Sequence, residues 1–586
     1  MNEYPEKNSS SKNVKILVNL IILAAVVFVV SKVFVGTDRT LHIVNESGVP
    51  ASIMFPGQEK ITVGHGKRKT LQAPKGKHQV EVQAADRPAA TVQVEIGPDK
   101  TYILNVGSSA VIAYEETMYS EKLDPNLELP YILHVGEPFF ALKKTDFLFQ
   151  QFPEKIMLYG EEKSKKSRIS VVKIETFSMV SYLQMTNVLP GKILSYIEAH
   201  LPVHKEDGDL LNMYLQFCAL YNCIDRGVEF LSRGLAERPV LTDRHRMYQE
   251  IVKYKGEKNK LFAQYDAMLE NEPENSALLY LRGRITPGFD RSFDYFDRAI
   301  AAHGQNPFPY FAKAYRLAGR GDFVPALELS AAAYKLNPES QQMKEMHYQL
   351  RFALGGFNEL EKETQVAMAA APLNQAIFKR LLTVRTAKKD NLGAEMALDD
   401  YIKNVKKEMP DDPLQIELQS RLLMAYLRTD FDAFFDYAKK IKNETERKNY
   451  FQTVYLNRGE MAKTESLPGI EKTMDRYDCL LYWLGWLDKG QPDKAGRWLE
   501  KAREKFCLSK DEDRVVGDWL DKPCPGIVER LLDLTVHFDQ KRILYPVFAR
   551  LCPRERSALL AMAEKLNFSL VFPHHFLAKT IRGMKK

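Results

Sequence analysis

The stretch Asn306–Ser340, "NPFPYFAKAYRLAGRGDFVPALELSAAAYKLNPES", sets the reading of the whole chain. Apolar and small residues recur at helical spacing on both sides of "GRGD", which reads as two helices joined by a tight turn. Proline stands at Pro239, Pro273, Pro307, Pro338 and Pro372, at intervals of 34, 34, 31 and 34 residues. A fixed period of that size indicates stacked two-helix units rather than one large core.

With Pro338 as position 32 of its unit, Tyr310 falls at 4, Ala314 at 8, Leu317 at 11, Gly321, Asp322 and Phe323 at 15 to 17, Ala326 at 20, Ser330 at 24 and Ala333 at 27. This pattern resembles the tetratricopeptide consensus. Small residues at 8, 20 and 27 let two helices approach closely, Gly-Asp makes the turn, and proline closes the second helix. The frame extends to 341–374 (Tyr348, Gly355, Phe357, Leu360, Ala367, Pro372), to 242–275 (Gly256, Leu261, Tyr265, Pro273) and to 208–241 (Gly227, Gly234). The unit containing Gly283, Phe293, Phe296 and Ala299 has an irregular turn, "RITPGFD", and Leu484, Gly485, Ala495, Leu499 and Ala502 mark a later repeat with a shortened one.

At the N-terminus, Ile16 to Val30 is almost wholly aliphatic and the apolar character resumes at Val33 to Val35, together long enough to span a bilayer as a helix. No small-residue cleavage site follows, and Lys7, Lys12 and Lys15 precede the span, so an uncleaved anchor with a cytoplasmic N-terminus is expected. The bulk of the chain is then extracytoplasmic, periplasmic or on the cell surface. From Thr40 the apolar period becomes two. Val80 and Val82, then Val92, Val94 and Ile96, then Tyr102, Leu104 and Val106 line one face of short strands, as in a small antiparallel sandwich. Within it, Leu71–Val82, "LQAPKGKHQVEV", resembles PEGA-type and carboxypeptidase-regulatory-like modules. "PEKIMLYGEEKSKKSRISVVKIETF", Pro153 to Phe177, reads as a hairpin whose turn carries Lys163, Lys165, Lys166 and Arg168.

The expected fold is therefore mainly α, a tetratricopeptide-type α-solenoid preceded by a transmembrane helix and a small antiparallel β-sandwich. Its parts are a tail (1–15), the span (16–36), the β domain (40–115), a mixed segment with the hairpin (116–205), the repeat array (206–374), degenerate helical hairpins (375–525) and a helical cap (526–586).

The chemistry-bearing motifs are few. No H-E-x-x-H, G-x-S-x-G or G-x-G-x-x-G is present, and "LPGKILS" lacks the remainder of a phosphate loop. His574 and His575 are adjacent, which directs their side chains apart, and Asp411 and Asp412 stand where a helix starts. Six cysteines show no C-x-x-C, and sequons occur at Asn45, Asn443 and Asn567. A formal charge of +7, from 83 basic and 76 acidic residues, is spread along the chain and gives no electrostatic footprint for nucleic acid. No catalytic, cofactor or metal site is expected.

The tetratricopeptide resemblance implies a concave face built from the first helix of each unit. It places Arg246, Glu250 and Tyr254, then Tyr280 and Arg284, then Phe308, Phe311 and Tyr315 there, with Asn212, Gln216 and Gln349 flanking them. Aromatic and arginine side chains are what protein interfaces favour, although a covering element would make the same residues core. The lysine and asparagine set of the family's carboxylate clamp is missing. The expected function is a membrane-anchored scaffold or assembly factor of the cell envelope; an envelope enzyme and a peptide-binding chaperone-like module stay open.

Overall fold

The computed structural model describes residues 39–84, 89–97, 100–120, 127–143, 145–158, 163–205, 207–408, 413–504, 510–523, 525–534, 538–568 and 574–585. The candidate span at 16–36, Asp411 and Asp412, and Cys507 and Cys524 lie outside them. Among the described residues no helix is long and apolar enough to cross a membrane. The chain is mainly helical, with a small N-terminal β domain, and divides into two compact units with the boundary after Met247.

In the first unit, strands β1 (Arg39–Asn45), β2 (Ala51–Met54), β3 (Ile61–Val63), β4 (Lys67–Ala73), β5 (Gly76–Ala84), β6 (Ala90–Ile96) and β7 (Lys100–Asn105) alternate inward apolar with outward polar residues. They divide between two four-stranded sheets. One has the order β3-β2-β5-β6, and the other is β10-β7-β1-β4, with β10 at Phe139–Lys143. Leu41, Ile43, Val80, Val94 and Leu104 from both sheets are buried in one shared core.

Two features depart from the expectation. β1 and β7 pair in parallel, so the domain is mixed rather than antiparallel, and its edge strand β10 comes from beyond residue 115. The expected hairpin is not formed either. Residues 154–158 take no strand conformation, while β12 (Lys163–Val171) pairs antiparallel with β8 (Ile112–Ser120) in a third sheet. The basic run is thus a strand laid against acidic neighbours. Arg168 Nε donates to Glu115 Oε1 at 2.6 Å, Lys165 pairs with Glu116, and Lys166 Nζ lies 3.5 Å from Asp146 Oδ1. Opposite charges across a strand pair stabilise it, which the local alternation of "SKKSRIS" could not reveal.

The second unit is a succession of helix pairs. Ser276–Ile285 packs with Phe289–Ala302, Pro307–Gly319 with Phe323–Leu336, Gln341–Ala353 with Phe357–Ala370, Gln375–Ala387 with Asn391–Glu408, Pro413–Leu427 with Phe431–Ala438, and Arg476–Asp488 with Pro492–Glu504. The small positions decide the packing. Ala314, Ala326 and Ala333 have no exposed surface, and a methyl group added at Gly283 would sit 2.8 Å from Phe296 Cε1 and Tyr295 Cβ. Gly321, at φ +76°, makes the turn that leads into Phe323–Leu336, a conformation in which a Cβ is strained.

Four successive first helices, from Ser276–Ile285 to Gln375–Ala387, open on a capping side chain. Asn275, Asn306, Ser340 and Asn374 each accept a hydrogen bond from backbone N–H groups of the first turn. In three of the four the cap stands two residues after the proline that ends the previous helix, as in Pro273-Glu-Asn275, Pro338-Glu-Ser340 and Pro372-Leu-Asn374. Proline and cap together give the chain its stop and restart.

Two sequons are sealed by the fold. Asn45 and Asn567 have no exposed surface, and Asn443 caps the helix Glu444–Arg458. Cys218 and Cys223 are free thiols, and Cys218 and Cys479 are buried.

Ala326→Arg should drive a long charged side chain into the contact between Pro307–Gly319 and Phe323–Leu336. Overpacking costs about 1–3 kcal/mol and burial of the charge adds to that. A lowered melting temperature and faster proteolysis around residues 307–340 are expected; an unchanged profile would refute this packing.

Candidate functional site

The expected concave residues do not form one open surface. Arg246 belongs to the first unit, where its Nη1 donates to Asp243 Oδ1 at 2.6 Å. The other seven lie in the second unit.

Glu250 and Arg284 are 34 residues apart, equivalent positions in successive repeats, and they meet. Arg284 Nη2 donates to Glu250 Oε1 at 2.6 Å and its Nη1 to Gln249 Oε1 at 2.8 Å, while Lys253 Nζ reaches Glu250 Oε1 at 3.1 Å. Gln249 is itself buried and donates to the Leu281 carbonyl. Burial alone would raise the Glu250 pKa, but the charges and hydrogen bonds of Lys253 and Arg284 outweigh it and hold the carboxyl down to about 2. The pair joins one repeat to the next. Tyr254 is half-buried, Tyr280 is buried, and Phe308 stacks on the Tyr280 ring at 5.4 Å.

Phe311 and Tyr315 are covered by the chain itself. They pack against a core made jointly by Ala318, Phe323, Ala326, Met346 and Leu350 of the repeats and by Leu544, Phe548, Leu559 and Leu566 of the C-terminal helices Phe538–Leu551 and Arg556–Phe568. Ala318, Phe323, Met346, Leu350 and Leu566 surround a void of about 10 Å³, no more than one water, so the fit is close. Lys565 Nζ lies 3.7 Å from Asp322 Oδ1 at the turn, and the buried Lys541 reaches the place a side chain at Gly319 would take, its Nζ 3.4 Å away. The aromatics expected to await a partner have one within the molecule, because apolar side chains of Phe538–Leu551 and Arg556–Phe568 share their core.

His574 lies at the start of the last helix, His575–Lys585. Burial, then the charges of Arg542 and His575, push its pKa down to about 3, and its Nδ1 accepts from the Leu577 N–H at 3.4 Å. Among the described residues no group of three or more side chains is placed to hold a metal ion.

Among the described residues of the second unit, two open clefts stand out. One, of about 810 Å³, is lined by Asn449, Gln452, Thr453, Leu456 and Asn457 from Glu444–Arg458, and by Gln375, Lys379, Gln419, Tyr450, Asp478 and His574. The spacings of three, four and eight from Asn449 put Asn449, Gln452, Thr453 and Asn457 on one helix face. Gln419 and Tyr450 are anchored on Glu446, at 2.9 and 3.0 Å. Asn457 Nδ2 donates to the Thr453 carbonyl at 2.8 Å, but its Oδ1 is buried with no hydrogen-bond donor. The second cleft, of about 550 Å³, has Lys253, Lys258, Arg284, Arg291 and Arg530 among its lining residues. Neither was evident in the sequence: scattered amides and bases become a surface only when the helices stack.

No protein-family profile matches the chain, and no curated protein matches it in sequence. Among solved structures, one described as Naa15/Naa10 bound to HypK-THB is similar over 61% of this chain and 58% of that one, at 11% identity and a TM-score of 0.24. The chain thus spans less than two thirds of that structure's chain, and the helical-repeat description rests on the helix pairs themselves.

Replacing Phe311 and Tyr315 together with alanine should loosen the C-terminal helices. The expected cost is on the order of 3 kcal/mol, below that of two fully buried rings because both are only partly covered. Hydrogen exchange should show lost protection across residues 538–568 together with 307–353; loss confined to 307–319 would show that the cap does not depend on these rings.

Proposed function

We propose that this protein is a non-catalytic helical-repeat scaffold that holds protein partners, tethered to a membrane by residues 16–36 with its bulk outside the cytoplasm, and that the amide-lined cleft is where a partner segment docks. The observation that carries the reading is an open groove of about 810 Å³ into which one helix face presents Asn449, Gln452, Thr453 and Asn457. An extended peptide supplies N–H and C=O groups at regular intervals for such side chains to meet. Amides both donate and accept, so they suit a backbone of either polarity at neutral charge. The aromatic face at Phe311 and Tyr315 is committed to the C-terminal helices, which makes this cleft the better candidate for a partner.

Thr453→Arg should fill the groove without disturbing the core, since the Thr453 hydroxyl bonds only the Asn449 carbonyl of its own helix at 3.1 Å and is exposed. A photo-crosslinker at position 453 in detergent-solubilised protein should capture a stoichiometric partner. Binding of that partner to the arginine variant should fall about tenfold or more, with an unchanged melting curve. Retention of every partner by the variant would end the reading, and turnover without any stoichiometric partner would favour an enzyme. Resistance to alkaline carbonate extraction with an intact N-terminus tests the tether separately; N-terminal sequence starting near Thr37 would remove it.

A further inference from the structure

The turn that joins the helices Gly208–Leu220 and Ile224–Ser232 reads "CALYNC", Cys218 to Cys223. Asn222 takes the left-handed conformation, at φ +55°. The Cys223 N–H then donates back to the Cys218 carbonyl at 2.8 Å, and the Asn222 N–H to the Ala219 carbonyl at 3.4 Å. In such a left-handed helix closure, the side chain two places past the cap packs against the one three places before it. Here both side chains are thiols. The same backbone closure returns at Val252 and Glu257, at Leu317 and Asp322 and at Arg385 and Asp390, so the turn itself does not require the pair.

The separation suits a covalent bond. Standard bond lengths added to the 2.8 Å contact keep the two Cα atoms within about 6.7 Å, and a disulfide spans roughly 4.4–6.8 Å between Cα atoms. Capping does not account for Cys223 either. It holds the N-cap place of Ile224–Ser232, where Asp, Asn or Ser accepts a hydrogen bond from the first turn. Asp390 and Asp430 do so at the same point of later hairpins, toward the Gly393 and Ala433 N–H groups. Cys223 makes no capping bond, and its Sγ donates to the Tyr221 carbonyl at 3.3 Å.

The two sulfurs differ in access: Cys223 is half-buried and Cys218 has no exposed surface. Burial pushes the Cys218 thiol up to about 12, so it stays protonated and reacts second. One helical turn earlier, the Tyr214 hydroxyl is in hydrogen-bonding reach of that thiol and donates to Glu198 Oε1 at 2.6 Å. Arg226 holds Glu198 in turn, through Nε and Nη2, both at 2.8 Å. A proton leaving Cys218 therefore has a route through Tyr214 to a fixed carboxylate.

We propose that Cys218 and Cys223 are an oxidisable dithiol that closes to an intramolecular disulfide by exchange with a disulfide-bearing oxidant. The Cys223 thiolate attacks one sulfur of the oxidant, and the other sulfur leaves and takes up a proton. Cys218 then attacks Cys223 Sγ, its proton passing by way of Tyr214 and Glu198, and the second oxidant sulfur leaves as a thiol. The cysteines give up two electrons and two protons; the oxidant's S–S bond accepts both electrons and becomes two thiols. The new bond ties Gly208–Leu220 to Ile224–Ser232 across their turn.

Oxidised glutathione added to the full-length protein in detergent tests the assignment. The reaction is quenched in acid, the protein is unfolded and alkylated with maleimide, and tryptic peptides are weighed. Cleavage after Lys205 and Arg226 leaves both cysteines on one peptide, 206–226. That peptide should become lighter by two hydrogens and take no maleimide, and dithiothreitol should restore both thiols. Against the glutathione couple, closure should be favoured about tenfold or more in the folded protein over the guanidinium-unfolded chain, because only the folded turn holds the sulfurs together. Cys223→Ser, at the half-buried position, should keep its melting curve and leave Cys218 reduced. Glutathione that stays on Cys223 of the unaltered protein, two thiols still open to maleimide, closure no more favourable folded than unfolded, or oxidation of Cys218 in the folded serine variant would each overturn the proposal.

Discussion

A helical hairpin can bury only one of its two apolar sides against itself, and everything else in the second unit follows from how close its two helices come. Ala314, Ala326 and Ala333 have no exposed surface because a larger side chain at any of them would hold the backbones apart. Gly283 does the same in the preceding pair, facing Phe296 and Tyr295. Once the hairpins are thin and alike, the next one can stack at a nearly constant offset, and the proline and cap residues at 273–275, 338–340 and 372–374 restart the helix at the place that stacking requires.

That constraint also explains why equivalent positions meet. Glu250 and Arg284 are one period apart and form an ion pair between repeats, with Lys253 as a second cation. The same side chains, viewed on a single helix, have the charge and size of interface residues. Stacking converts part of the expected recognition face into internal fastening and leaves the open polar surface elsewhere, at Asn449, Gln452, Thr453 and Asn457.

The parts legible in the sequence were those written in local periodicity. Alternation marked Val80, Val82, Val94, Ile96, Tyr102 and Leu104 as inward-facing, and the 34-residue spacing marked the hairpins and their small positions. Periodicity reports that a face is covered; it does not report by what. The parallel pairing of β1 with β7, the recruitment of β10 from residues 139–143 and the pairing of Arg168 with Glu115 join segments about 35 to 61 residues apart, with no local signature. The cover on Phe311 and Tyr315 lies farther still, beyond residue 538. One missed signal was present: proline followed two residues later by Asn or Ser, which is a helix stop and an N-cap in three repeats.

The packing of Leu544, Phe548, Leu559 and Leu566 onto the repeats near Ala318 and Leu350 has a consequence for how the chain is made. Synthesis runs from the N-terminus, so the hairpins at 307–353 leave the ribosome some two hundred residues before the helices that cover them. Over that interval Phe311, Tyr315 and their neighbours face solvent or whatever else is at hand, and at 5–20 residues per second the delay is about 10–40 seconds. The native contact is long-range and forms late, so this face is exposed to wrong association during biogenesis, and truncation near the C-terminus recreates that nascent state permanently.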